Sequence, residues 1–157
     1  MCCCIVTLTI AVTIKMFQSM LIYKRGSVLD TQYPIAHCIS ADCAMKKGLA
    51  LSIKQKFGQT SRLKRQKAAP GQIAVLKCGT TWIINLVTKS KFYEKPTPDT
   101  LHSSLVHMKH FMNQQGLRLV CIPKIATGRD KMPWSLVEQL LKNVFDNSNI
   151  LIIVHTL

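Results

Sequence analysis

Acidic residues are scarce in this chain: seven Asp and Glu stand against 21 Lys and Arg, giving a net charge of +14 over 157 residues. That balance excludes a neutral surface. It leaves two readings, solubility with loose attraction to any polyanion or a nucleic-acid or phosphate-bearing partner, because composition does not locate a patch. Metal-binding spacing is lacking too. The seven cysteines fall as Cys2, Cys3 and Cys4 together, then Cys38, Cys43, Cys78 and Cys121, with no CxxC pair and no zinc-ribbon interval. An odd count in that arrangement fits reduced thiols in a cytosolic or nuclear protein better than a disulfide framework. There is no GxGxxG or P-loop signature, no internal repeat and no low-complexity linker. Long hydrophobic runs are also missing. The start, "MCCCIVTLTIAVTIK", is apolar for fourteen residues before Lys15. A bilayer span needs about 20 residues, and a signal peptide carries a basic region ahead of its apolar one. We expect residues 1–17 to be an apolar leader outside the fold, although three adjacent cysteines are also candidates for acylation. Residues 18–157 then form one domain, since 48% hydrophobic content suffices for one core.

Past the leader, "SMLIYKRG" predicts a strand ending near Gly26, and "PIAHCI" a second short strand. Ser40 or Asp42 stands where an N-cap belongs, ahead of a helix of roughly 14 residues reaching Phe57 and Gly58. Met45, Leu49, Ile53 and Phe57 recur at helical spacing and should face a core. "TSRLKRQKAAPG" reads as a short basic surface helix before a Pro-Gly turn, and "QIAVLKCGTTWIINLV" as two strands about a tight turn. "TPDTLHSSLVHMKHFMNQQG" is the clearest helix, with a Thr/Asp start and Gly116 as its stop. Strand "LRLVCIP", loop "KIATGRDKMP", helix "WSLVEQLLKNVFD" and strand "NILIIVHTL" follow. Strands alternating with amphipathic helices, plus one hairpin, imply an α/β fold with a mixed sheet covered on both faces. Ligands in such sheets bind beyond the carboxyl ends of strands, which singles out "HCISADC" and "KIATGRD".

Each of those loops leads into a helix, so backbone N–H groups can face an anion, and Ser40, Ala41, Ala126, Thr127 and Gly128 are small enough for a diphosphate to approach. Ordinary turns remain the plain alternative. His37, Cys38 and Cys43 offer zinc ligands without zinc spacing. His37 at a strand end is more often a hydrogen-bonded structural histidine, and His107 with His110 fits a solvated helix face. The basic run from Lys54 to Lys67 likewise reads as a solvated face, or as a contact for a polyanion. Lys89 directly follows an apolar strand, where partial desolvation makes an amine nucleophilic, and Asp130 closes the second loop as a candidate base. A lysine pointing to water is the competing reading.

The segment "AHCISADCAMKKGLALSIKQKFG", with "GQIAVLK", "LVTKSKFYEKPT", "LHSSLVHMK", "IPKIATGRDKMPW" and the ending "VHTL", resembles the macro domain family. Within it the text is similar to the terminal ADP-ribose protein glycohydrolase subgroup, from about Tyr23 to Leu157. The resemblance implies a three-layer α/β/α macrodomain that binds ADP-ribose and removes it from modified glutamate and aspartate side chains of proteins. Deacylation of O-acyl-ADP-ribose is a further implied activity. By motif match Lys89 and Asp130 fall on catalytic positions. Ser40, Val28, Leu157 and the loop Lys124, Ile125, Ala126, Thr127, Gly128, Arg129 fall on ligand-contacting ones. No metal and no cofactor are implied. The implied partners are ADP-ribose and ADP-ribosylated proteins; the basic composition adds the expectation of a weak nucleic-acid or poly-ADP-ribose contact through the basic surface. The implied setting is a monomer in the nucleoplasm and nucleolus, with a cytoplasmic pool, in the response to DNA damage.

Departures from the family's pattern bear on the cleft. The family's Gly-Asp after the first strand, whose aspartate receives the adenine amino group, is Gly26-Ser27 here. Its "MGAG" is "MKKG", which puts Lys46 and Lys47 where small residues meet the ligand. Its "GCGLD" is "ATGRD", with Ala126 for a glycine and Arg129 for a leucine. A lost ionic acceptor is worth about 1.5–3 kcal/mol, and added positive charge near a diphosphate offsets part of it. These changes keep a second reading open, a non-catalytic module binding ADP-ribose or nucleic acid.

Overall fold

The computed structural model describes residues 20–157, so the expected leader at residues 1–17 lies outside the described residues. Six strands make one sheet: β1 (Met20–Arg25), β2 (Ile35–Ser40), β3 (Ile73–Cys78), β4 (Thr81–Lys89), β5 (Leu119–Pro123) and β6 (Leu151–Thr156). Their order across it is β1-β6-β5-β2-β4-β3. Every neighbouring pair is parallel except the β3–β4 hairpin, so the sheet is mixed. Four helices complete the connections: α1 (Gly48–Phe57), α2 (Thr60–Arg65), α3 (Pro98–Gln115) and α4 (Trp134–Phe145). A single 3-10 turn, Val28–Asp30, follows β1.

Helices cover both faces of the sheet. Leu101, Leu105, Met108 and Met112 of α3 and Val137 and Leu141 of α4 pack with Ala36, Ile84, Leu86 and Ile122 on one face. Ile53 of α1, Leu63 of α2 and Val28 pack with Ile35, Ile39, Ile83 and Val87 on the other. Burying a side chain of this size is worth about 1.5–3 kcal/mol against leaving it in water, so these two cores dominate the fold. The central strand β4 is buried continuously from Ile83 to Thr88, as a strand covered on both sides must be. The start of α3 is set by Thr97 and Thr100, whose side chains each accept from the other's backbone N–H, and its stop by Gly116 at φ 68°. At the sheet edge the Gln66 side chain bonds both the N–H and the C=O of Val75, occupying part of the open rim of β3.

One element starts later than its sequence suggests. The helix expected from Ser40 or Asp42 begins at Gly48, with Lys47 as an N-cap that makes no side-chain bond. Ser40 is the last residue of β2. Asp42 has its oxygens committed elsewhere, to the Ala44 N–H at 3.2 Å and the Phe92 N–H at 3.1 Å. Cys43 and Met45 then adopt positive φ, 50° and 44°, which no helix tolerates. Residues 41–47 are therefore a loop, and the helix N-terminus is displaced to the far side of it.

Candidate active site

The chain leaves β2 towards β4 in one direction and β5 towards β6 in the other, so the switch in strand order falls between β2 and β5. Pairing of these two strands is confined to Ile35 opposite Cys121, with Cys121 N–H donating to the Pro34 carbonyl at 2.8 Å. Beyond that point a cleft of about 380 Å³ opens at their carboxyl ends. Small-molecule sites run to roughly 300–1,000 Å³, so the space suits one ligand of nucleotide size.

Lys89 stands at the end of β4 on the wall of this cleft. The register beside it breaks: Ile39 faces Val87 but Ser40 faces Lys89, skipping Thr88. Ala41 N–H then fixes the Lys89 carbonyl at 2.9 Å. Asp130 arrives from the loop after β5, and its Oδ1 accepts from Lys89 Nζ at 2.6 Å. The two side chains are 13% and 12% exposed, so the pair is mostly screened from solvent. Lys95 Nζ donates to the Arg129 carbonyl, a second tie between the loop after β4 and the loop after β5. Within the latter, Thr127 Oγ1 donates to the Lys124 carbonyl at 2.7 Å and Met132 N–H to the Ala126 carbonyl at 2.9 Å. Ala126 holds φ 61° there, a left-handed conformation that costs a non-glycine residue about 1–2 kcal/mol.

Charge is concentrated in the cleft. Lys46, Lys47, Lys89, Lys124 and Arg129 line it against the carboxylate of Asp130. Gly48, Leu49 and Ala50, the first turn of α1, line it as well. The first N–H groups of a helix lack partners within it, so this end adds donors and a partial positive charge. An anion is the ligand such a wall accommodates. The Asp42 carboxylate is not among the groups lining it. Burial alone would raise this carboxyl, but bonds from the Ser40 hydroxyl and the Ala44 and Phe92 N–H groups, with the Lys91 charge, hold it below its usual value.

The remaining loop candidates are disposed differently. His37 is buried, and its Nε2–H donates to Asn85 Oδ1 at 2.6 Å, while Asn85 Nδ2 donates to the Ala74 carbonyl at 3.0 Å. Burial lowers the imidazole to about 4, partly opposed by the Asn85 bond, so it is neutral at physiological pH. Cys38 lines the cleft as an unreactive thiol, pushed up to about 12 by burial and by the Asp130 charge, with Lys89 acting the other way. Among the described residues no three His, Cys, Asp or Glu side chains converge as a metal site requires. His107 and His110 are exposed on α3.

Of the residues singled out in the sequence, Ser40, Lys89, Lys124, Ile125, Ala126, Gly128, Arg129 and Asp130 all line the one cleft. Val28, buried in the 3-10 turn, Thr127, turned onto the Lys124 carbonyl, and the fully exposed Leu157 are not among its lining residues. Ser27 caps the 3-10 turn, its Oγ accepting from Leu29 N–H at 3.2 Å. Sequence reasoning missed Phe92, which lines the cleft with Lys46 Nζ 4.8 Å from its ring centroid. Its only local signal is its place three residues after Lys89. It also missed the bracing roles of Asp42 and Lys95, whose partners lie 50 and 34 residues away.

Comparison with known proteins agrees with this geometry. The macro domain family model matches residues 36–141. The human ADP-ribose glycohydrolase OARD1 is 38% identical over 123 residues, which is 78% of this chain and 81% of that protein. Among solved structures, the macrodomain of Mycobacterium tuberculosis DarG superimposes with a TM-score of 0.79 at 21% identity, covering 88% of this chain and 99% of that one. A Trypanosoma brucei macrodomain in complex with ADP-ribose does so with a TM-score of 0.68 at 15% identity, covering 86% of this chain and 63% of that one. With its mixed six-stranded sheet, its cleft at the β2–β5 switch and these likenesses, the chain belongs to the macro domain family.

Proposed function

We propose that this protein is an ADP-ribose glycohydrolase that frees ADP-ribose from ester-linked glutamate and aspartate side chains of proteins, and by the same chemistry deacylates O-acyl-ADP-ribose. The observation that carries the reading is the Lys89–Asp130 contact of 2.6 Å on the wall of a cationic cleft. The identity to a human ADP-ribose glycohydrolase over most of both chains supports the substrate class. Asp130 takes the proton that Lys89 gives up, and the freed Nζ attacks the anomeric carbon of the distal ribose. The C–N bond forms as the C–O bond to the protein carboxylate breaks, and the carboxylate leaves with the electron pair. Asp130 passes that proton to solvent and, again a carboxylate, takes one from the water that adds to the same carbon. The C–N bond breaks, Nζ recovers its proton and free ADP-ribose departs. The diphosphate is held by the first turn of α1 and the lysines around it.

The test is the release of free ADP-ribose from an auto-modified ADP-ribosyltransferase, measured beside calorimetry with ADP-ribose. Binding together with release supports the glycohydrolase. Binding without release would reassign the chain as an ADP-ribose-binding module, the outcome that Lys46 and Arg129 would produce if they fill the position of the scissile bond.

A further inference from the structure

A second surface runs outward from the mouth of the cleft, and beyond Lys46, Lys47 and Phe92, which the two share, the chemistry proposed above does not use it. From residue 43 to residue 93 the chain has no Asp or Glu but eleven Lys and Arg. Among the described residues only one of these eleven, Lys89, is paired with a carboxylate. The others are spread over the loop before α1, over α1 and α2, at Lys67 after α2 and Lys77 in β3, and at Lys91 in the loop after β4. In that last loop two aromatic side chains stand in solvent, Phe92 at 50% and Tyr93 at 70% exposure, with ring centroids 5.3 Å apart and planes at 83°. The loop is not loose. Glu94 Oε2 accepts from the Ser90 and Lys91 N–H groups at 3.1 and 3.0 Å, and Asp42 accepts from Phe92 N–H. Two exposed aromatic rings on a braced loop, with Lys46 over one of them and Lys91 beside it, form a preorganised stacking platform in a positive field. A merely solvated basic face needs no such rings.

We propose that this rim and the α1–α2 ridge bind single-stranded nucleic acid, sharing Lys46, Lys47 and Phe92 with the mouth of the cleft. Unpaired bases stack on Phe92 and Tyr93, which a duplex cannot offer without opening. Phosphates meet Lys46 and Lys47 at the mouth of the cleft. They continue to Arg62, Lys64 and Arg65, all exposed on α2, at the far end of the ten-residue α1. That helix spans about 15 Å, so a short oligonucleotide reaches from one group to the other.

The test is fluorescence anisotropy of the full chain with a labelled 20-nucleotide oligothymidylate and a 20-base-pair duplex, across a series of salt concentrations. The single strand should bind at least tenfold more tightly than the duplex. Phe92→Ala and Tyr93→Ala should each weaken it about tenfold, a typical loss for one stacked base, whereas Tyr93→Phe keeps wild-type affinity. That rescue separates stacking from a folding defect. Replacing Arg62, Lys64 and Arg65 together with Ser should lower the salt dependence, log Kd against log salt, by about 2. Equal binding of duplex and single strand, or unchanged affinity in both alanine variants, would reduce the surface to unspecific charge and overturn the proposal. Tighter binding of poly-ADP-ribose than of the oligonucleotide would overturn it too, by assigning the surface to that polymer.

Discussion

Lys89 and Asp130 share one contact but do different chemistry, nucleophilic attack and proton transfer, so their loss should read differently. Lys89 forms the covalent bond in the proposed route. Lys89→Ala should abolish release while ADP-ribose affinity, measured by calorimetry, changes little. Asp130 serves the proton transfers, so Asp130→Ala should cut turnover and leave an ADP-ribose adduct on Lys89, visible by intact-mass spectrometry after exposure to modified protein. Full activity in Lys89→Ala would sink the covalent mechanism. A third residue tests the adenine end. Ser27 spends its hydroxyl on the Leu29 N–H, a cap that an aspartate makes equally well. Ser27→Asp therefore adds an anionic acceptor without removing the cap. If the adenine amino group meets it, affinity should improve about tenfold, the equivalent of ~1.4 kcal/mol. Unchanged affinity would mean that the adenine is held by other contacts.

At the scale of elements, α1 shows a conflict between folding and the site. Its N-cap is Lys47, extended at φ −151° and ψ 161°, with no side-chain bond to the first turn. A serine there has the right backbone geometry to cap, and the usual gain over a non-capping residue is about 1 kcal/mol. Lys47→Ser should raise stability by that amount in urea denaturation. It should also weaken ADP-ribose binding, because Lys47, unlike Lys89, is a cleft cation with no carboxylate partner among the described residues. Gain in stability with loss of affinity is the expected signature. If both improve, Lys47 obstructs the cleft rather than serving it. The lysine is thus a local flaw in the helix that a ligand anion would compensate.

At the scale of the whole molecule, the buried polar pair under the sheet face sets a pH limit. His37 lies among apolar neighbours with an imidazole lowered to about 4 by burial, against an ordinary 6.5. The unfolded chain takes up this proton near pH 6.5 and the native state only near pH 4, so the unfolded state binds more protons between them. The contribution is therefore fully present above pH 6.5 and is lost progressively as pH falls towards 4, by about 3 kcal/mol in all. Asp42, held below its usual value by its three hydrogen bonds and Lys91 against the effect of burial, loses stability in the same direction at lower pH. Urea midpoints taken between pH 7.5 and 4 should drop accordingly. His37→Gln, which keeps an amide donor for Asn85 but does not titrate, should flatten the part of the profile between pH 6.5 and 4.

The sequence by itself determined the elements, because their signals are local. Short apolar, β-branched runs bounded by turn residues marked the strands, and the Thr97 start with the Gly116 stop marked α3. One short turn at residues 79–80 marked the hairpin, and the switch from strand to helix periodicity implied two covered faces. It also placed Lys89 at a strand end and Asp130 in a loop. Only the tertiary structure decided what met what. Asp42 looks like a helix cap in sequence, but a backbone N–H fifty residues away takes its carboxylate, and the helix starts six residues beyond it. Lys89 and Asp130, 41 residues apart, come within 2.6 Å because β2 and β5 part after a single pairing and let two loops close over the gap. Such contacts depend on strand order and register, which no local periodicity encodes, and burial then fixes which side chains are left facing the cleft.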